Sequence, residues 1–183
     1  MPALTGDRVV LRPIERPDLP RLWELVEDIE VAALFSAGPV VLASLAQWEA
    51  RFEQEAANPR TDQAWFAIEV ESQLIGQAGL QRIDHFNQRC ELGIALGKEY
   101  WGKGFGQEAV RMLIEYAFTH LHMNRVSLHV LAEDARAVGA YLKAGFREEG
   151  RLRRAAWFRG RFHDELVMSV LQEERKSELR ADD

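Results

Sequence analysis

Apolar and polar positions change their spacing repeatedly along the chain, and each change marks an element. Val9-Val10-Leu11-Arg12-Pro13-Ile14 reads as a first strand, closed by Pro13 and Pro17. Asp18 is placed to cap a helix with Leu19, Leu22, Trp23 and Val26 at helical spacing, and a second helical pattern follows Ser44 with Leu45, Trp48 and Phe52 inward. Asn58-Pro59-Arg60-Thr61-Asp62 breaks it. The period then shortens. Trp65 to Val70, Leu74 to Ile83 and Cys90 to Leu96 alternate or run apolar, which predicts an antiparallel meander of three strands.

Ala109, Val110, Leu113, Ile114, Ala117, Phe118 and Leu121 then recur at helical spacing, the strongest such pattern in the chain, ended by Asn124. Arg125 to Leu131 alternates as a strand, and Asp134 to Ala144 is a short helix terminated by Gly145. Phe146 onwards and Leu166 to Leu171 supply late strands, joined through Phe158-Arg159-Gly160-Arg161. The predicted order is β-αα-βββ-α-β-α-ββ, an α/β domain over residues 1–172 with helices on the faces of its sheet, followed by a charged tail at 173–183 that is expected to fray.

Composition narrows the classes of function. The chain of 183 residues suits one domain with a substantial core. No apolar run approaches a membrane span and no signal segment opens the chain, so a cytoplasmic location without membrane contact is expected. The single cysteine, Cys90, allows no internal disulfide and no cysteine zinc site. A net charge of −6 argues against direct nucleic-acid binding and tolerates a cationic partner. Acidic residues gather early, at Glu24, Glu27, Asp28 and Glu30, while Arg147, Arg151, Arg153, Arg154, Arg159 and Arg161 crowd a late segment. Each cluster reads first as a solvated face.

The stretch Tyr100-Trp101-Gly102-Lys103-Gly104-Phe105-Gly106-Gln107-Glu108-Ala109 carries chemistry. Alternating glycines clear side chains from a turn, and the following helix start adds N–H donors and a partial positive charge, which together suit a diphosphate. The spacing matches neither a nucleotide P-loop nor a dinucleotide fingerprint. A structural turn without a ligand is the competing reading.

A second segment decides between them. With Asp134-Ala135-Arg136-Ala137-Val138-Gly139-Ala140-Tyr141-Leu142-Lys143-Ala144-Gly145-Phe146, the glycine turn resembles the GCN5-related N-acetyltransferase (GNAT) superfamily. Its acyl-coenzyme A signature is Arg/Gln-x-x-Gly-x-Gly/Ala, followed later by Asn-x-x-Ala-x-x-x-Tyr-x-x-x-Gly-Phe. Leu11-Arg12-Pro13, Arg147-Glu148-Glu149-Gly150 and His163-Asp164 are similar to the ribosomal-protein N-terminal acetyltransferase branch. Roughly residues 7 to 172 share the likeness. Two positions depart from the pattern: Trp101 stands in place of the usual Arg or Gln, and Asp134 in place of Asn, where it also suits a helix N-cap.

The resemblance implies a single mixed, mostly antiparallel central sheet of the acyl-CoA N-acyltransferase type, acetyl-CoA as co-substrate without a metal, and site residues. Gly102, Lys103, Gly104, Phe105, Gly106 and Gln107 would face the diphosphate, main-chain groups at Ile94, Ala95 and Leu96 the pantetheine arm and thioester, with Asp134 and Tyr141 completing the coenzyme site. Tyr141 occupies the general-acid position. Glu91 is the expected base, with small residues Gly93 and Ala95 on its face leaving room for substrate, and Glu69 the reserve. His85, His120, His122, His129 and His163 show no metal-ligand spacing beyond His120-x-His122, which reads as surface. Trp48, Trp65, Phe86, Trp157 and Phe158 read as core, with Trp157 or Phe158 as alternatives for an acceptor pocket.

The expected activity is acetyl transfer from acetyl-CoA to a primary amine by direct attack in a ternary complex. The branch resemblance points to a protein N-terminal α-amine. A small amine such as an antibiotic or polyamine, or a non-catalytic acyl-CoA-binding module, is the alternative. The oligomeric state is open, a homodimer included.

Overall fold

The computed structural model describes residues 3–35 and 40–175. Eight strands form one sheet in the order β1-β2-β3-β4-β5-β6-β8-β7, comprising β1 (Leu4–Thr5), β2 (Val9–Pro13), β3 (Gln63–Val70), β4 (Gln73–Asp84), β5 (Arg89–Leu96), β6 (Arg125–Leu131), β7 (Arg147–Phe158) and β8 (Arg161–Leu171). Neighbours are antiparallel except β5 and β6, which run parallel. The sheet is therefore mixed and mostly antiparallel, as expected.

Alternation along the strands assigns two faces. On the back lies α4 (Phe105–Thr119), whose buried stripe of Ala109, Val110, Leu113, Ile114, Ala117 and Phe118 packs with Leu80, Leu92, Val126, Leu128 and Met168. The helical repeat in the sequence is this stripe. The helix stops at Thr119, earlier than expected, and the chain leaves through His122 in the left-handed region at φ 55°. On the front, α1 (Leu19–Val26), α2 (Ile29–Phe35) and α3 (Leu45–Ala57) cover the β2–β5 half. Leu22 sits with Ala67 and Leu74, and Leu25, Val26 and Val31 sit with Ala95. The last helix, α5 (Ala135–Lys143), lies beside α4 and leads to the buried Phe146.

Several elements differ from the sequence reading. Helix α2 and edge strand β1 are additions, so the order is ββ-ααα-βββ-α-β-α-ββ. Seven residues give α2 too few turns to show a period, and its start is set by Asp28, whose carboxylate accepts the Glu30 and Val31 N–H groups at 2.9 and 3.3 Å. Asp18 precedes α1 as expected, but its side chain makes no cap bond; it accepts Arg12 at 2.7 and 2.8 Å and the Glu15 N–H at 2.8 Å. Strands β7 and β8 run longer than their apolar runs, forming an extended hairpin around Arg159 and Gly160. The tail is not loose where it begins, because the Glu174 carboxylate accepts the Leu171 N–H and pairs with Arg147 at 2.7 Å. Residues 176–183 lie outside the described residues. No helix among the described residues is long and apolar enough to cross a membrane.

Candidate active site

Strands β5 and β6 pair only at Arg89–Arg125, Cys90–Val126 and Glu91–Ser127. Beyond that point they have no register, and the sheet forks. A cavity of about 120 Å³ occupies the fork, walled by Ile94, Ala95 and Leu96 from β5, His129 to Leu131 from β6, Gly106 at the start of α4, and Asp134, Arg136 and Tyr141 from the α5 end. Val31, Leu34 and Phe35 of α2 close the front. The fork thus brings together Ile94, Ala95, Leu96, Trp101, Gly106, Asp134 and Tyr141 from distant parts of the chain. Because β6 does not pair with this end of β5, the Ile94–Ala95 edge can receive an extended arm as an added strand would.

The glycine turn sits at the mouth. Gly102 and Gly104 hold φ of 73° and 88°, the left-handed region where a side chain is strained, and a Cβ on Gly104 would meet Arg8 Nη2 at 2.9 Å. Gly102 to Gly104 are exposed. The first intrahelical bond of α4 runs from the Glu108 N–H to the Gly104 carbonyl, leaving the N–H groups of Phe105, Gly106 and Gln107 without partners inside the helix. A Cβ at Gly106 would lie 3.2 Å from Leu96 Cδ1, a tight contact that this leucine would have to yield to. This is a donor-lined turn that suits a diphosphate, and its Trp101 and Gly106 also wall the fork cavity, whereas Gly102, Lys103, Gly104, Phe105 and Gln107 do not.

The turn is anchored from outside. Glu108 accepts the Arg8 and Val9 N–H groups at 2.7 and 2.9 Å, tying β2 to α4. Burial raises the proton affinity of Glu108, and those two N–H donors with the Arg8 charge more than offset it, holding the carboxyl below its ordinary range. The Arg8 guanidinium stacks on Phe105 at 4.9 Å and donates to the Lys103 carbonyl at 3.3 Å. Lys103 itself turns its ammonium over the Tyr100 ring at 5.6 Å. Arg8 was not readable as a site residue because it lies 95 residues before Lys103.

Tyr141 lines the cavity and packs edge-on against Phe146 with ring centroids 5.8 Å apart. Burial, reinforced by the nearby Asp134 carboxylate, pushes its phenol up to about 12. It therefore stays protonated through the neutral range and is a standing donor. Asp134 caps α5 by accepting the Ala137 N–H at 3.0 Å.

Glu91 lies on the expected strand and face but outside the cavity wall. Its carboxylate is held by Arg82 Nη1, 2.9 Å from each oxygen. The cause is a bulge in β4 between Gln81 and Asp84, with Arg82 at φ 51°, which aims the guanidinium across at Glu91. The room expected above Gly93 is filled: a Cβ there would lie 3.0 Å from Trp65 Cη2 and 3.5 Å from Phe35 Cε2. Glu69 is spent on Arg12 at 2.8 Å. Cys90 is buried, and burial together with Glu91 pushes its thiol up to about 12, which suits a core residue rather than a nucleophile.

His129 is the residue the sequence reading passed over. It shares the cavity with Tyr141, and its Nδ1 lies 3.7 Å from the Glu165 carboxylate on β8. Alternation on β6 carries the signal, since His129 falls on the same face as Ser127, but the fork that exposes it is a property of the fold. The early acidic cluster is already engaged. Glu24 pairs with Arg21, and Glu27 accepts the Trp48 indole and the Ala43 N–H. Asp28 and Glu30 share Lys98 at 2.8 and 2.7 Å, and Glu30 also pairs with Arg159 of the β7–β8 hairpin. Trp157 and Phe158 are not in the cavity wall; Trp157 is exposed and packs on Phe162. Among the described residues no group of His, Cys, Asp or Glu is placed to hold a metal.

Comparison with known proteins agrees with this geometry. Residues 8–147 match the model of the acetyltransferase (GNAT) domain, so the chain belongs to that family. An uncharacterized N-acetyltransferase, p20, of Bacillus licheniformis is 31% identical over 175 residues, 95% of this chain and 98% of its own. Spermidine N(1)-acetyltransferase of Vibrio cholerae is 27% identical over 167 residues, 91% of this chain and 95% of its own. The crystal structure of spermidine N-acetyltransferase from Vibrio cholerae with CoA and spermine superposes with a TM-score of 0.84 at 27% identity, covering 92% of this chain and 98% of that one. A relative named for ribosomal acetylation, YdaF of Bacillus subtilis, is 34% identical over 105 residues, 57% of each chain. The protein is an N-acetyltransferase that uses acetyl-CoA as its acyl donor.

Proposed function

We propose that the acceptor is a small linear amine of the polyamine kind, acetylated by direct attack in a ternary complex. Two observations favour this over the protein N-terminus that the branch resemblance suggested. The relatives matched over nearly their whole length include spermidine acetyltransferases, whereas the ribosomal relative matches over about half. The chain is also acidic overall, which attracts polycations.

Acetyl-CoA brings an activated thioester. Exposed Gly102 to Gly104 and the first N–H groups of α4 hold its diphosphate, and main-chain donors at Ile94 to Leu96 polarise the carbonyl. Tyr141 gives its proton to the sulfur as the C–S bond breaks. His129, backed by Glu165, receives the proton that the nitrogen loses as the C–N bond forms. Glu91, held by Arg82 at the apex of the fork, is the alternative acceptor for that proton in place of His129, reached through water. The observation that carries the reading is the fork itself, which puts the Ile94–Leu96 edge, Tyr141 and His129 around one cavity that Gly106 of the glycine turn also walls.

Thiol release from acetyl-CoA tests it, with spermidine, spermine and short peptides bearing free N-termini as acceptors. A kcat/KM at least about tenfold higher for the polyamines is expected. The opposite ranking overturns the acceptor class, and tight coenzyme A binding without any transfer supports a binding module.

A further inference from the structure

The tip of the β7–β8 hairpin reaches both walls of the fork. On one side Arg159 pairs with Glu30, which precedes the cavity residue Val31 of α2. On the other, Arg161 Nη2 donates to Glu133 Oε2 at 3.1 Å, and Glu133 lies between the cavity residues Leu131 and Asp134. Each wall thus carries a carboxylate at its edge, with a guanidinium of the hairpin on it. Arg161 and Glu133 are exposed, at 69% and 61%, so their pair holds weakly against a competing cation.

The arrangement at Glu133 is incomplete. His163 is only 5% exposed, and its Nδ1 faces Glu133 Oε2 from 3.1 Å but out of line, which leaves that buried nitrogen without a hydrogen bond. Buried ring nitrogens are normally satisfied. The ring is not free to turn, because Phe158 packs edge-on against it with centroids 5.7 Å apart and the Phe158 carbonyl lies 3.0 Å from Nε2. Glu133 has to move instead, and Arg161 holds it in place.

We propose that Glu133 binds the second ammonium of a linear polyamine acceptor, and that Arg161 occupies that place until the acceptor arrives. The incoming cation displaces the guanidinium. Glu133 then turns one oxygen to an Nδ1–H of His163 and gives the other to the ammonium. Glu133 is four residues beyond His129, the proposed proton acceptor, so their Cα atoms are at most about 14 Å apart, a reach that an extended polyamine spans. A monoamine gains nothing at Glu133, so discrimination is set away from the reacting nitrogen.

The inference rests on the polyamine reading above, and cutting the pair at either end tests it. A structural ion pair is lost alike from both ends, whereas a site and the cation that competes for it respond with opposite signs. The quantity measured on the full chain is kcat/KM for spermidine relative to a straight-chain monoamine of matched length. Glu133→Gln should lower that ratio about tenfold, and Arg161→Gln should raise it about threefold. A ratio that falls in both variants, or that is unmoved in either, overturns the inference while leaving the polyamine reading intact. A parent enzyme that acetylates free peptide N-termini in preference to spermidine defeats the polyamine reading itself, and the inference with it.

Discussion

The two halves of the site are built in different ways. The donor half, from the Ile94–Leu96 edge through the glycine turn to α5, is held by backbone geometry: positive φ at Gly102 and Gly104, unpaired N–H groups, and a strand edge left open by the fork. The side between α2 and the β7–β8 hairpin, where we place the acceptor, is held by ion pairs between residues remote in sequence. Lys98 joins Asp28 and Glu30, and Glu30 joins Arg159. Backbone devices recur wherever the same ligand is bound. Side-chain networks can be rewired without disturbing the fold, so this half is where acceptor choice can change.

If the contrast is real, the largest effect belongs to the turn. Gly104→Val places a β-branched residue at φ 88° against Arg8, and coenzyme A affinity should fall at least about a hundredfold by calorimetry while the far-ultraviolet circular dichroism is retained. Undiminished affinity would mean that the turn does not carry the diphosphate. Next, His129→Gln should lower kcat/KM about thirtyfold, whereas Glu91→Gln should change it less than about threefold. The reverse ranking would return the base to Glu91.

The smallest effect lies in an ion pair at the closed end of the sheet, where β6 meets β7 and β8. Arg125 and Ser169 pull the Glu149 carboxyl down to about 2. A carboxyl depressed on folding contributes stability above its unfolded range, near 4, and loses that contribution as pH falls toward 2. Both partners are partly exposed, at 30% and 39%, so screening leaves about 1 kcal/mol. Glu149→Gln should therefore be less stable than the parent at pH 7 in urea unfolding, with the gap closed near pH 2.

The same contrast explains what could be read from sequence. Glycines with forced φ, and a helix such as α4 with six buried residues on one stripe, write their roles into local order. Tyr141 and Asp134 were named through the resemblance to the acetyltransferase motif that ends at Gly145-Phe146, not through local spacing. Helix α2 was too short to show a period, and β7 is mostly exposed, so neither face supplied an apolar alternation. The tie between Glu91 and Arg82 depends on a bulge, and the exposure of His129 depends on where two parallel strands part. Those are consequences of register, set by pairing partners far along the chain.

In the proposed mechanism Tyr141 joins the two halves, giving the proton that completes the transfer. The most direct measurement is single-turnover acetylation of spermidine by Tyr141→Phe, paired with coenzyme A titration of the same protein. The phenol stands in the cavity wall and its ring packs on Phe146, so phenylalanine keeps the packing and removes only the proton. Transfer should slow by about a hundredfold or more while coenzyme affinity stays within twofold to threefold of the parent, roughly the scale of one positioned acid. Transfer at the parental rate across pH would contradict the assignment of Tyr141 as the acid.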